Sequence, residues 1–153
     1  MATESNDQIV NKTTVILDTA NDWHNWIFVR QDRANRNGLW PYCNPELRPE
    51  EVLKLGEPIE PEISTFHTSA TKLSDLSKEE KEDYIWQYEK WEKKYTKWET
   101  LSKAMRDFES ELNETIAKKH LHLLWGKTGP YERLVSLHRF LNRYTFSTKM
   151  CGL

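Results

Sequence analysis

The sequence predicts a mostly α-helical fold: a helical bundle with one long helix and a Pro/Glu-rich mobile loop. Three observations carry this. A capping box, Ser77-Lys78-Glu79-Glu80, opens a run whose aromatic residues step through Tyr84, Tyr88, Trp91, Tyr95 and Trp98 at spacings of 4, 3, 4 and 3. Asn21-Asp22 precedes a second run of helical period that Asn37-Gly38 closes, and Gly129-Pro130 restarts a third. The one β-prone stretch, Thr13-Thr14-Val15-Ile16-Leu17, is too isolated to build a sheet and reads as an extended lead-in.

Taken in order, residues 1–16 form a polar flexible tail, 17–143 a helical domain, and 144–153 a C-terminal tail without clear period. The first helix turns Trp23, Trp26, Ile27 and Ala34 to one side and sets Arg30, Arg33 and Arg36 on the other, with only the Arg30 stem near the apolar stripe. Leu39-Trp40-Pro41-Tyr42 leaves it as an apolar plug. Between 44 and 76, Pro45, Pro49, Pro58 and Pro61 forbid a long helix while six glutamates keep the stretch solvated. A short helix from Pro49 through Leu55 is expected there, with disorder over Glu57 to Ser74.

The long helix carries the aromatic seam expected of a helix packed lengthwise on a partner. Beyond Trp98 the pattern continues through Leu101, Met105, Phe108, Leu112 and Ile116, so the seam changes face or the helix kinks near Thr100. Glu89, Lys93, Glu99 and Lys103 supply favourable pairs on the solvated side. Leu121, Leu123, Leu124 and Trp125 form a dense apolar block before Gly126. The expected core is Trp23, Trp26, Leu39, Trp40, Trp91, Tyr95, Trp98, Leu112, Ile116, Leu134 and Leu137.

Composition bounds the function. With 153 residues, 22 Lys plus Arg against 24 Asp plus Glu, and a formal charge of −2, the chain is not a uniformly basic nucleic-acid binder. Cys43 and Cys151 form neither a disulfide framework nor a zinc ligand set. A polar N-terminus and the lack of a long apolar run give the expectation of a soluble, cytoplasmic protein with no membrane partner, in which the two Asn-x-Thr sequons are chance matches.

Catalytic chemistry finds no motif. Ser, Cys and His are scattered without a strand-to-helix elbow or a Gly-rich turn, so neither an enzyme, a cofactor nor a small-molecule substrate is expected. His120 and His122 stand two apart, which on a helix turns them to different sides, whereas a helical metal pair is spaced by four. Gly126-Lys127-Thr128 echoes a phosphate loop without its first glycine or its strand. The last third is basic, nine Lys and Arg against five Asp and Glu over residues 101–153. Lys118, Lys119, Lys127, Arg133 and Arg139, with Arg143, are the candidates for phosphate contact, although such cations ordinarily just solvate a helix.

Specific residues add a resemblance. Leu17-Asp18-Thr19-Ala20-Asn21-Asp22-Trp23-His24-Asn25-Trp26, then Ala34, Leu39-Trp40-Pro41-Tyr42 and Pro45, resemble the opening of Gag proteins of copia-type LTR retrotransposons, especially fungal ones. Trp98, Ala104, Leu112, Thr115-Ile116-Ala117 and His120-Leu121 are similar to the family's next helix, and Gly129-Pro130-Tyr131-Glu132-Arg133-Leu134 with Leu137 to the helix after it. The similarity spans Leu17 to Leu141 and is weakest in the Pro/Glu-rich stretch. It implies a capsid-like domain that self-associates into a virus-like particle around element RNA, with no catalytic residues to carry over. A truncated or domesticated copy, or the first part of a longer polyprotein, would both fit. The family's Cys/His zinc knuckle has no counterpart in this sequence. Two other classes stay open: a helical adaptor for a cellular protein, and a weak RNA-binding module using the basic last third.

Overall fold

The computed structural model describes residues 14–142. They are mostly helical. A 3-10 turn at Ala20–Asp22 leads into α1 (Trp23–Arg36) and the short α2 (Trp40–Cys43); α3 (Ile63–Phe66) and a 3-10 turn at Leu73–Asp75 precede α4 (Lys78–Glu114). A 3-10 segment, Lys118–Leu124, then joins α4 to α5 (Gly129–Leu137), which runs on as a π-helical turn, His138–Asn142. The described residues contain no β-strand, only an isolated parallel bridge between Leu17 and Ile116. The C-terminal tail at 144–153, with Cys151, and residues 1–13 of the N-terminal tail lie outside the described residues, as does Arg143.

Local chemistry sets the ends of these helices. Gly38, at φ +69°, takes the left-handed conformation that closes α1. The Leu39 N–H then reaches back to Ala34 O (2.8 Å) and the Gly38 N–H to Asn35 O (3.1 Å), and the Leu39 side chain is left fully buried. At α4 the Ser77 N–H donates to Glu80 Oε1 (2.8 Å) and the Glu80 N–H to Ser77 Oγ (3.2 Å), the reciprocal box read from the sequence. Asp22 acts one turn earlier than expected. Its carboxylate accepts from the Thr19 and Asp18 N–H groups, and those bonds hold it below the usual carboxylate range.

The described residues fall into two compact units: residues 14–54 with 104–142, and residues 55–103. α4 is continuous through Thr100, so the shift in seam is a change of face and not a break. The Thr96 and Thr100 hydroxyls bond back to the carbonyls of Glu92 and Thr96, both at 3.0 Å, keeping these β-branched residues within the helix. Tyr and Trp line it before that point, and Phe108 and Leu112 are its buried residues after.

The first unit holds the aliphatic and indole core. Leu17, Trp26, Leu39, Cys43, Leu112, Leu134 and Leu137 are fully buried, with Trp23, Ala34, Phe108, Ile116 and Leu124 beside them. Trp26 Nε1 donates to Thr115 Oγ1 (3.0 Å), so the one polar atom of this buried ring is satisfied. The bridge alongside is made by the Leu17 N–H to Thr115 O (2.8 Å) and the Ala117 N–H to Leu17 O (2.9 Å). The Trp23 ring lies 5.7 Å from Trp26 and 5.3 Å from His138.

Arg30 corrects the sequence reading of an exposed arginine face. Only 2% of it meets solvent. Its Nη1 lies 3.2 Å from Glu111 Oε1, its Nη2 donates to Val15 O (3.4 Å), and its guanidinium sits over the Trp26 ring. Burial lowers its pKa, and the Glu111 charge opposes that shift.

The second unit differs from expectation in two ways. The stretch from Glu57 to Ser74, expected to be disordered, has a defined course: α3 places Phe66 edge-on to Tyr84 (5.5 Å), Trp91 Nε1 donates to Pro58 O (3.2 Å), and Ala70 and Leu76 are buried. Proline restricts this backbone and the indole pins it. Second, Trp91, Tyr95 and Trp98 are half-buried and do not form a closed core, because an irregular segment, not a helix, lies beside them. Trp40, in the first unit, is also only half-buried, since α2 is a single turn. The helix expected from Pro49 is likewise a turn, in which the Val52 N–H donates to Arg48 O.

Trp26→Ala is expected to cost about 3–5 kcal/mol, through the cavity it opens and the bond it removes. Thermal unfolding followed by circular dichroism checks this, and an unchanged Tm would contradict the packing.

Candidate interaction surface

Within the first unit, α5 and the chain after α2 enclose an open groove of about 650 Å³. Its position follows from local rules. Gly129, at φ +81°, turns the chain into α5, and Pro130 fits the first turn, where its missing N–H costs nothing. Glu132 then accepts from the Thr128 N–H (2.6 Å) and hydroxyl (3.0 Å), which holds its carboxyl below the usual range. Tyr131, in the same turn, donates its hydroxyl to Leu47 O (2.6 Å) and so ties the 44–54 segment to α5. Ser136 anchors the other side through Leu123 O (2.7 Å).

The groove has an apolar floor of Leu47, Val52, Val135 and Phe140, and three cations at its edge, Lys54, Lys127 and Arg139. Phe140 is 55% exposed, so its ring offers apolar area at the groove. None of the three cations forms an ion pair among the described residues. The one carboxylate present, Glu132, is engaged at the helix cap. Four further large side chains of this unit stand in water, Phe28 at 71%, Trp125 at 78%, Leu53 at 54% and Ile16 at 41% exposure.

The second unit offers a different surface. Its ladder Phe66, Tyr84, Tyr88, Trp91, Tyr95 and Trp98 has successive ring centroids 5.1–5.9 Å apart. Trp91 holds the Pro58 carbonyl, and the residue after it, Ile59, is 91% exposed between Glu57, Glu60 and Glu62. An apolar side chain is thus displayed inside a cluster of carboxylates.

The five basic residues considered for phosphate contact do not form one patch. Lys119 is paired with Asp18 (2.9 Å). Arg133 is paired with Glu109 (3.1 Å) and donates to Asn113 Oδ1 (2.7 Å) and Lys127 O (3.3 Å), so it fastens α5 to the end of α4. Lys118 is exposed outside the groove, and only Lys127 and Arg139 line it. Sequence reasoning missed Lys54, Phe140 and Ile59. The one sequence signal for them was the display of Ile59 between two prolines and three glutamates.

Other reactive groups are accounted for. Burial pushes the Cys43 thiol up to about 12, and its Sγ faces Leu39 O at 3.4 Å, so it behaves as a small apolar side chain. His120 Nε2 lies 2.5 Å from Asp18 O, while His122 meets the edge of Trp125. No cluster of three metal-ligating side chains occurs among the described residues. No helix among them is long and apolar enough to cross a membrane.

Trp91→Phe keeps a ring but removes the bond to Pro58 O, which is worth about 0.5–1.5 kcal/mol. Cleavage by a glutamate-specific protease at Glu57, Glu60 or Glu62 is expected to accelerate by roughly threefold to tenfold; equal cleavage rates would show that Trp91 does not hold this segment. Compared with known protein families, curated proteins and solved structures, the chain matches none.

Proposed function

We propose that the chain is a structural protein of the retrotransposon Gag type, a helical domain that associates with copies of itself to build a capsid-like shell. The observation that carries this is that large apolar side chains are left in water on both units, among them Phe28, Trp125 and Phe140 on one and Ile59 and Trp86 on the other. Each exposes area that an association would remove from water at about 25 cal/mol per Å². Supporting it, seven of the residues that carry the Gag resemblance, Trp23, Trp26, Leu39, Leu112, Ile116, Leu134 and Leu137, come from positions far apart in sequence and are buried in one core, while Trp40 and Trp98 are half-buried. In this reading they build the scaffold, and the exposed aromatics do the associating.

RNA is a secondary partner in this reading. With Arg133 and Lys119 committed to ion pairs, Lys118, Lys127 and Arg139 are what remains for phosphates, enough for weak, salt-sensitive contact.

Light scattering coupled to size exclusion is expected to show mass rising with protein concentration. A strict monomer at high concentration would overturn the assembly reading. A fixed complex with one cellular protein, with no self-association, would favour the adaptor class in its place.

A further inference from the structure

We infer that the groove beside α5 is the receptor for the acidic 57–62 segment of a second copy of this chain, with Ile59 as the anchor. The inference rests on the self-association reading and names the two surfaces that meet. It comes from complementarity between two features described separately above. One is concave, apolar at its floor and edged by Lys54, Lys127 and Arg139. The other is acidic, with one aliphatic side chain, Ile59, 91% exposed among its carboxylates.

The chemistry of the segment fits this role. Residues 54–61 make neither helix nor strand, and the Pro58 carbonyl, held by Trp91, is the backbone group there with a described partner. Pro58 and Pro61 stand three apart and hold φ near about −65°, the spacing and backbone of ligands for aromatic-lined grooves, which lose little entropy on binding. Trp91 already pins Pro58, which lowers that cost further. None of Glu57, Glu60 and Glu62 forms an ion pair among the described residues, so their charges are available.

The groove fits as well. At about 650 Å³ it lies within the range of roughly 300–1,000 Å³ typical of clefts that take a drug-sized ligand, which is room for an isoleucine and its neighbours. Phe140 and Leu47 supply an apolar seat for Ile59, and the cations face the flanking carboxylates. A bare phosphate backbone would leave that apolar floor unused, so an acidic peptide is favoured over RNA. Donor segment and acceptor groove are different surfaces, so the contact either closes as a reciprocal dimer or repeats from copy to copy as a ring or an open array.

Paired charge reversals test this in the full chain. One variant carries Lys54→Glu, Lys127→Glu and Arg139→Glu; the other carries Glu57→Lys, Glu60→Lys and Glu62→Lys. Sedimentation equilibrium is expected to show each alone associating at least about tenfold more weakly than the parent. Mixed one to one, they should regain the parent's association, because every groove then has an oppositely charged segment. Should the groove variant fail to fold, Ile59→Asp, at a side chain with almost no packing to lose, should by itself weaken association about tenfold.

A parent that stays monomeric would overturn the assembly reading and this inference with it. A parent that associates while the reversals and Ile59→Asp leave its mass unchanged would overturn the inference alone. Variants that dissociate but do not recover on mixing would also overturn it, as would a groove variant that loses binding to a labelled oligouridylate while keeping its self-association.

Discussion

The first unit depends on the contact between Trp26 and Thr115, which lie 89 positions apart. An indole can be fully buried only if its N–H finds an acceptor, and the Thr115 hydroxyl is that acceptor. The same hydroxyl donates to Glu111 O (2.7 Å), so it serves both the ring and the last turn of α4. Beside it, Leu17 exchanges backbone bonds with Thr115 and Ala117. The lead-in segment, α1 and the exit from α4 are therefore locked at one point, and α5 closes on it through Leu134 and Leu137.

The ion pair of Arg30 and Glu111 lies against this point and has a different character. Arg30 Nε and Glu111 Oε2 are buried and make no hydrogen bond in the described structure. A buried pair of this kind adds little net stability, because desolvation offsets most of the attraction. It does enforce alignment, since any other register of α1 would strand a charge in the core. Arg33, largely exposed and 3.5 Å from the same carboxylate, adds a weaker hold from the surface.

Much of this organisation is legible in the sequence where local rules act alone. The Ser77 box, the Gly38 stop and the Gly129-Pro130 start each appear where their chemistry requires, and Trp23, Trp26, Leu112, Ile116, Leu134 and Leu137 read as core from their spacing. What was not legible depends on distant partners. Arg30 looks solvated by its helical neighbours, yet Glu111 draws it inward. The aromatic run of α4 has the period of a helix seam, but periodicity says nothing of what covers it, and here the cover is a proline-rich segment. The groove is likewise assembled from residues on either side of a long gap in sequence, Leu47 and Tyr131 among them, so no short motif marks it.

Because the core is closed by one indole, the most direct measurement is on that indole. In two-dimensional NMR of the whole chain, the Trp26 Hε1 proton is expected to show a cross-peak to the Thr115 methyl group and to exchange with solvent far more slowly than that of the exposed Trp125. A Trp26 indole proton that exchanges as fast as that of Trp125, with no contact to Thr115, would contradict the account at its centre.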